Sequence, residues 1–380
     1  MSYLPATRAL RVRFDTAQAL TRLFYRERAA VLACGGWIPR VAPLEHKAEL
    51  ARTAWESALS ADALRERVFE LRYPVRFLDV QAEELSLAVP DDLRALVAGL
   101  REDYAAYLAA ADGLADGPSI RIVESALRDK ERQVGALAAV ELEDADPARD
   151  PRYFASTFYW PDVLDPTYPY GEGVALQLRS AVSHLNEVWA VETAGLILHD
   201  LSPELGWEFT SDAARWLYDE SRHMLMGRER LAAWRLEPAQ IPLGGYIYEA
   251  CAGQDPLYRL GMLGYFETKN IGRKRERAKA FQLMGDVTSE TDMEFDWADE
   301  TLHAEYGRRW LRRLLEARGE DPESWPAVLE RCEQLVEERI GRATSEDLER
   351  IRACADALVA AANRSVVPGS GRVRRPDYPS

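Results

Sequence analysis

The chain has 380 residues, 47% of them hydrophobic, which is enough to bury a full core and suits one large or two medium domains. Its formal charge of -15 repels phosphate backbones and argues against a nucleic-acid partner, even with the short basic runs Arg273-Lys274-Arg275 and Arg308-Arg309, which read as solvated helix faces. No apolar run reaches membrane-spanning length, Arg8, Arg11, Arg13 and Asp15 interrupt the start, and Cys34, Cys251, Cys332 and Cys354 form no CxxC pair, so the expectation is a soluble cytoplasmic protein with reduced thiols and no membrane partner.

In chain order, residues 16 to 34, 46 to 72, 91 to 113 and 119 to 143 are rich in Ala, Leu, Arg and Glu, with apolar residues at helical spacing. Four helices are predicted there, separated by Gly35-Gly36, Pro74, Pro90 and Gly117-Pro118. Residues 144 to 173 alternate prolines with Tyr153, Phe154, Phe158, Tyr159, Trp160, Tyr168 and Tyr170, and so read as a packed connector rather than a disordered linker. Helical periodicity resumes over 175 to 200, 210 to 235, 257 to 283, 288 to 318, 323 to 341 and 345 to 363, with breaks at Ser202-Pro203, Pro238 to Pro256, Gly285, Gly319 and Gly341. No segment alternates as a strand does. The class is therefore all-α: a helical N-terminal domain over 1-143 with no metal expected, the connector over 144-173, a bundle over 174-318, C-terminal helices over 319-367 and a flexible tail over 368-380.

The chemistry concentrates in two copies of one short pattern, Glu220-Ser221-Arg222-His223 and Glu300-Thr301-Leu302-His303. Residues three apart share a helix face, so each pattern aims a carboxylate and an imidazole at one point. Each is preceded by a helix with a further candidate glutamate on an apolar face. Glu267 follows Leu263, Gly264 and Phe266, and Glu192 sits among Val188, Trp189, Gly195 and Leu196, with Glu187 as a second carboxylate five residues earlier. Ligands on antiparallel helices meet at one height only if the turn lies near their sequence midpoint. Glu192 and Glu220 are centred on position 206, within the break after Pro203, and Glu267 and Glu300 are centred beside Gly285. The stretch from 236 to 256 then serves as a long crossover, as in ferritin-like connectivity. His46, His184 and His199 have no ligand-like spacing and read as surface or structural. Asp219, Asp299 and Asp296 are candidates to orient a histidine from behind. Tyr218, Tyr265 and Tyr306 read as core packing. Trp55-Glu56 through Arg67 faintly echoes the helix of Glu220, which leaves a degenerate repeat and chance composition equally open.

These helices resemble the DE-x-R-H and DE-x-x-H helices of ferritin-like di-iron carboxylate proteins, over roughly residues 175 to 318. The resemblance is closest to bacterial ferritin-like proteins of unassigned role that are grouped with tRNA-hydroxylase-like di-iron enzymes. It implies a four-helix bundle in which Glu192, Glu220, His223, Glu267, Glu300 and His303 hold two iron ions, or manganese in their place, with Glu220 and Glu267 or their counterparts bridging. The expected function is an oxygen-activating oxidoreductase, a hydroxylase, oxygenase or oxidase, whose partners are dioxygen, a small organic substrate and an unidentified electron donor. A ferroxidase or iron-handling protein is the alternative, and a metal-free binding scaffold the third reading. The N-terminal helices are expected to cover one end of the site or to form a homodimer contact.

Overall fold

A computed structural model describes residues 13–78, 92–142, 157–168 and 172–364. Among the described residues the regular structure is entirely helical. The N-terminal part comprises α1 (Arg13–Trp37), α2 (Leu44–Leu71), α3 (Leu93–Ala110) and α4 (Gly117–Leu137). Then come α5 (Val174–Leu185), α6 (Val188–Leu205), α7 (Trp207–Ala233), the single turn α8 (Tyr246–Ala250), α9 (Pro256–Met284), α10 (Val287–Ala317), α11 (Trp325–Ile340) and α12 (Ser345–Arg364).

Local chemistry sets these limits. Asp255 and Asp286 cap α9 and α10 by accepting hydrogen bonds from the backbone N–H groups of Leu257 and Ser289, and Gly285 closes α9 in the left-handed region at φ 71°. The predicted break at Ser202-Pro203 falls one turn late: α6 runs through Pro203 and ends at Gly206, φ 83°. The predicted helix over 175 to 200 is divided at Asn186-Glu187. There the Asn186 side chain donates to the carbonyls of Val182 and Pro242 and accepts from Gly244 N–H, fastening the chain to the crossover.

Helices α6, α7, α9 and α10 pack on one another, α6 with α7 and α9 with α10 forming two hairpins joined by the crossover that carries α8. The α9–α10 crossing is close because Gly264 and Gly307 face each other, and a Cβ built on Gly307 would lie 2.7 Å from Gly264 Cα. The two glycines lie about one turn from Glu267 and His303, so α9 and α10 are closely apposed where those side chains leave them.

Of the four N-terminal helices, α1 and α2 form a second layer on α6 and α7, and α3 and α4 pack behind them on α1 and α2. One hydrophobic core runs through both parts, from Leu20 to Ala362. In the N-terminal layer, Glu27 and Lys130, both fully buried, pair at 2.7 Å, with Tyr104 donating to Glu27 and Lys130 donating to Ser57. The described part of the connector is packed, with Phe158 and Trp160 buried. Tyr153, Phe154, Tyr170 and the tail 368-380 lie outside the described residues. No helix among the described residues is long and apolar enough to cross a membrane.

Candidate metal centre

Helices α7, α9 and α10, with the residue just before α6, bring two groups of metal-ligating side chains together. Glu187, His223, Asp296 and Glu300 form one, and Glu220, Glu267, Glu300 and His303 the other; within each, one potential ligand atom per residue lies within 4.8 Å of the rest. Glu300 belongs to both. All are buried except Glu187, which is partly exposed.

Each histidine points its Nδ1 into the centre and its Nε2 away. His223 Nδ1 lies 3.3 Å from Glu187, 3.4 Å from Asp296, 3.7 Å from Glu220 and 3.8 Å from Glu300. His303 Nδ1 lies 3.3 Å from Glu220 and 4.0 Å from Glu267. Both Nδ1 atoms are buried without a hydrogen bond, as is His303 Nε2, so each inward nitrogen is open to a cation once its ring is neutral.

Behind the rings the expected aspartates act crosswise. His223 Nε2 donates to Asp299 at 3.2 Å, and His303 Nε2 lies 3.5 Å from Asp219, so each ring faces an aspartate of the opposite helix. Arg215 and Arg222 pair with both aspartates, Arg215 at 2.6 Å from Asp219 and Arg222 at 3.0 Å from Asp299.

Three residues join the site that spacing alone did not single out as members. Asp296 is one of the ligand-type residues itself. His184 is structural rather than at the surface: it is buried, accepts at Nδ1 from Arg230 at 2.5 Å and therefore donates from Nε2 to Asp296 at 3.0 Å. Lys274, in the run read as a solvated face, is 6% exposed, and its ammonium lies 2.6 Å from Asp296 and 2.8 Å from Glu300. His199 and His46 hold structure, contacting the Leu32 carbonyl and accepting from Glu141 N–H.

One candidate moves. Glu192 is buried but belongs to neither group; it points at α2, where Lys47 Nζ lies 3.1 Å from its carboxylate. Glu187 takes its place beside His223. Residues five apart on a helix diverge by about 140°, and α6 is buried on nearly every side, so its apolar surroundings fit either face.

The electrostatics follow from the crowding. Burial pushes Glu300 well above the usual carboxylate range, and the charges of Glu220 and Glu187 add to it. Burial opposes ionisation of Glu220 too, but the adjacent histidines overcome it and hold that carboxyl low, at about 2. Asp296 is likewise low despite burial, through Lys274, His223 and His184. His223 and His303 are raised, their carboxylate neighbours outweighing desolvation, whereas burial and Arg230 lower His184. With the histidine rings neutral and Glu300 ionised, the state in which these groups can bind a metal, Glu187, Glu220, Glu267, Asp296, Glu300, Asp219 and Asp299 outnumber Lys274, Arg215 and Arg222, which leaves an excess of negative charge suited to a cation.

A cavity of about 420 Å³ opens onto this centre, with Glu187, Glu220, Glu267, Lys274, Asp296 and Glu300 in its wall. Trp189, Phe266, Tyr246, Tyr159 and Ile247 supply apolar lining, and Lys269, Arg273 and Glu333 lie in its outer part. Tyr265 also lines the cavity and donates to Glu333; burial and that carboxylate raise its phenol to about 12. Tyr306 packs its ring on His303, centroids 6.3 Å apart.

Residues 162–355 match the family model of a protein of unknown function, DUF455. The chain belongs to the DUF455 family. The DUF455 region contains every residue of the two ligand groups and begins after the N-terminal layer. No curated protein and no solved structure matches the chain.

Proposed function

We propose that this DUF455 protein is a ferritin-like di-metal oxidoreductase that activates dioxygen against an organic substrate, using iron or manganese in its place. The observation that carries the reading is the pair of ligand groups sharing Glu300 at the wall of a cavity large enough for a small organic molecule. Carboxylates and imidazoles in this mixture suit divalent iron or manganese, and the negative excess offsets the charge of two such ions. The chemistry a bound pair supplies is reduction of dioxygen with electrons from an external donor.

The chain's own residues have definable tasks in this reading. Glu220 and Glu300 stand between the two groups and would bridge them, while Glu187 and Glu267 close the outer sides. Asp219 and Asp299 hold the imidazoles with Nδ1 inward, and Arg215 and Arg222 keep those aspartates in place. Trp189 and Phe266, packed edge to face at 5.4 Å, give the substrate an apolar wall and keep water from that side.

A metal-free scaffold is the second reading, and Lys274 is the observation in its favour, because an ammonium already compensates part of the acidic group. Anaerobic loading with Fe(II) followed by metal analysis separates the two: less than one ion per chain sinks the metal reading. Loaded protein that consumes dioxygen once per centre and then waits for reductant or substrate supports the oxidoreductase. Continuous oxidation of excess Fe(II) into a mineral core within a hollow assembly would instead identify an iron-handling protein.

A further inference from the structure

Lys274 lies on α9 two helical turns beyond Glu267, so both side chains leave the same face of that helix. Glu267 reaches the group around His303, and Lys274 reaches the group around His223. The Lys274 ammonium is 2.6 Å from Asp296, 2.8 Å from Glu300 and 3.8 Å from Glu187, which are three of the four residues of that group. The other group meets this ammonium only through the shared Glu300: among the described residues no lysine or arginine pairs with Glu220 or Glu267. A divalent ion placed among Glu187, His223, Asp296 and Glu300 would share its carboxylates with a buried positive charge only a few ångströms away. Like charges in a buried site repel strongly, since little water screens them.

We infer that Lys274 is a built-in competitor for this position, so that the chain holds one divalent ion tightly at Glu220, Glu267, Glu300 and His303 and a second one only weakly. The inference rests on the metal reading above and makes the centre asymmetric. The second ion gains its place by displacing the ammonium toward the cavity, whose wall Lys274 and Glu187 share. Arg273 and Arg275, on either side of Lys274, are exposed, so only the middle residue of the basic run takes part.

Calorimetric titration of the metal-free full chain with Fe(II) under anaerobic conditions, and separately with Mn(II), tests this, with metal analysis after desalting. The wild type should retain one ion per chain and bind a second at least roughly tenfold more weakly. Lys274→Met should close the gap and retain two ions, while Lys274→Arg, which keeps the charge, should preserve it. With Mn(II), the wild type at one equivalent should give the electron paramagnetic resonance of an isolated ion, and Lys274→Met at two equivalents that of a coupled pair. Two ions held equally by the wild type overturn the inference while leaving the metal reading intact. So does a gap unchanged in a cooperatively melting Lys274→Met. If neither chain retains any ion, the metal reading falls and this inference with it. If Lys274→Met does not fold, the wild-type titration still decides: equal sites overturn the inference, and unequal sites that Lys274→Arg retains uphold it.

Discussion

Glu187 and Glu192 lie on one helix and its cap, yet they serve different halves of the molecule. Glu187 faces His223, and Glu192 faces Lys47. Glu187→Gln is therefore expected to weaken metal retention, as measured by metal analysis, with little change in melting temperature. Glu192→Gln is expected to keep the metal but to destabilise the fold by roughly 3 kcal/mol in chemical denaturation, because Lys47 loses a buried counter-charge. The raised pKa values of His223 and His303 give a pH dependence of definite sign. Their protonation stabilises the metal-free fold fully below the ordinary histidine value near 6.5, and that contribution is lost as pH rises through the raised folded values. A metal needs the neutral rings, so binding should release protons and tighten between pH 6 and 8. Calorimetry in buffers of different ionisation enthalpy measures that release, and affinity independent of pH over this range would contradict it.

At the scale of elements, the centre depends on how closely the helices approach. Gly227 brings α7 against α5, where an added Cβ would meet Leu185 N at 2.2 Å and Ala181 O at 2.5 Å. Backbone cannot yield as a side-chain tip can, so Gly227→Ala should cost roughly 1–3 kcal/mol, read as a lowered melting temperature. The crosswise pairs that link α7 and α10, His223 with Asp299 and His303 with Asp219, tie the two ExxH helices together. Asp299→Ala frees the His223 ring from behind, and metal affinity at that position should fall about 10- to 100-fold by titration. The helices themselves were legible in the sequence because apolar periodicity and the Asp and Gly caps coincide. The division at Asn186 was not, since it depends on Pro242 and Gly244, more than fifty residues away.

The whole molecule wraps its acidic centre in a continuous apolar core to which the N-terminal layer contributes. Because a bound ion interacts with the folded chain and scarcely with the unfolded one, loading to about one hundred times the dissociation constant should add about 2.7 kcal/mol of stability. Differential scanning calorimetry with and without Mn(II) measures this, and an unchanged melting temperature would count against the centre.

Some of this was determined by the sequence alone. Its helical period and caps specify an all-helical chain, and the two ExxH patterns with turns near their midpoints bring Glu220, His223, Glu267, Glu300 and His303 into one place. Those are properties of spacing along single helices and hairpins, which neighbouring residues carry in full. Only the tertiary structure decided between Glu187 and Glu192, drew Asp296 and His184 into the centre and buried the middle lysine of a basic run. Each of those outcomes depends on which helix packs against which face, and where α6 and α9 are enclosed by several partners the pattern of one helix does not contain that choice.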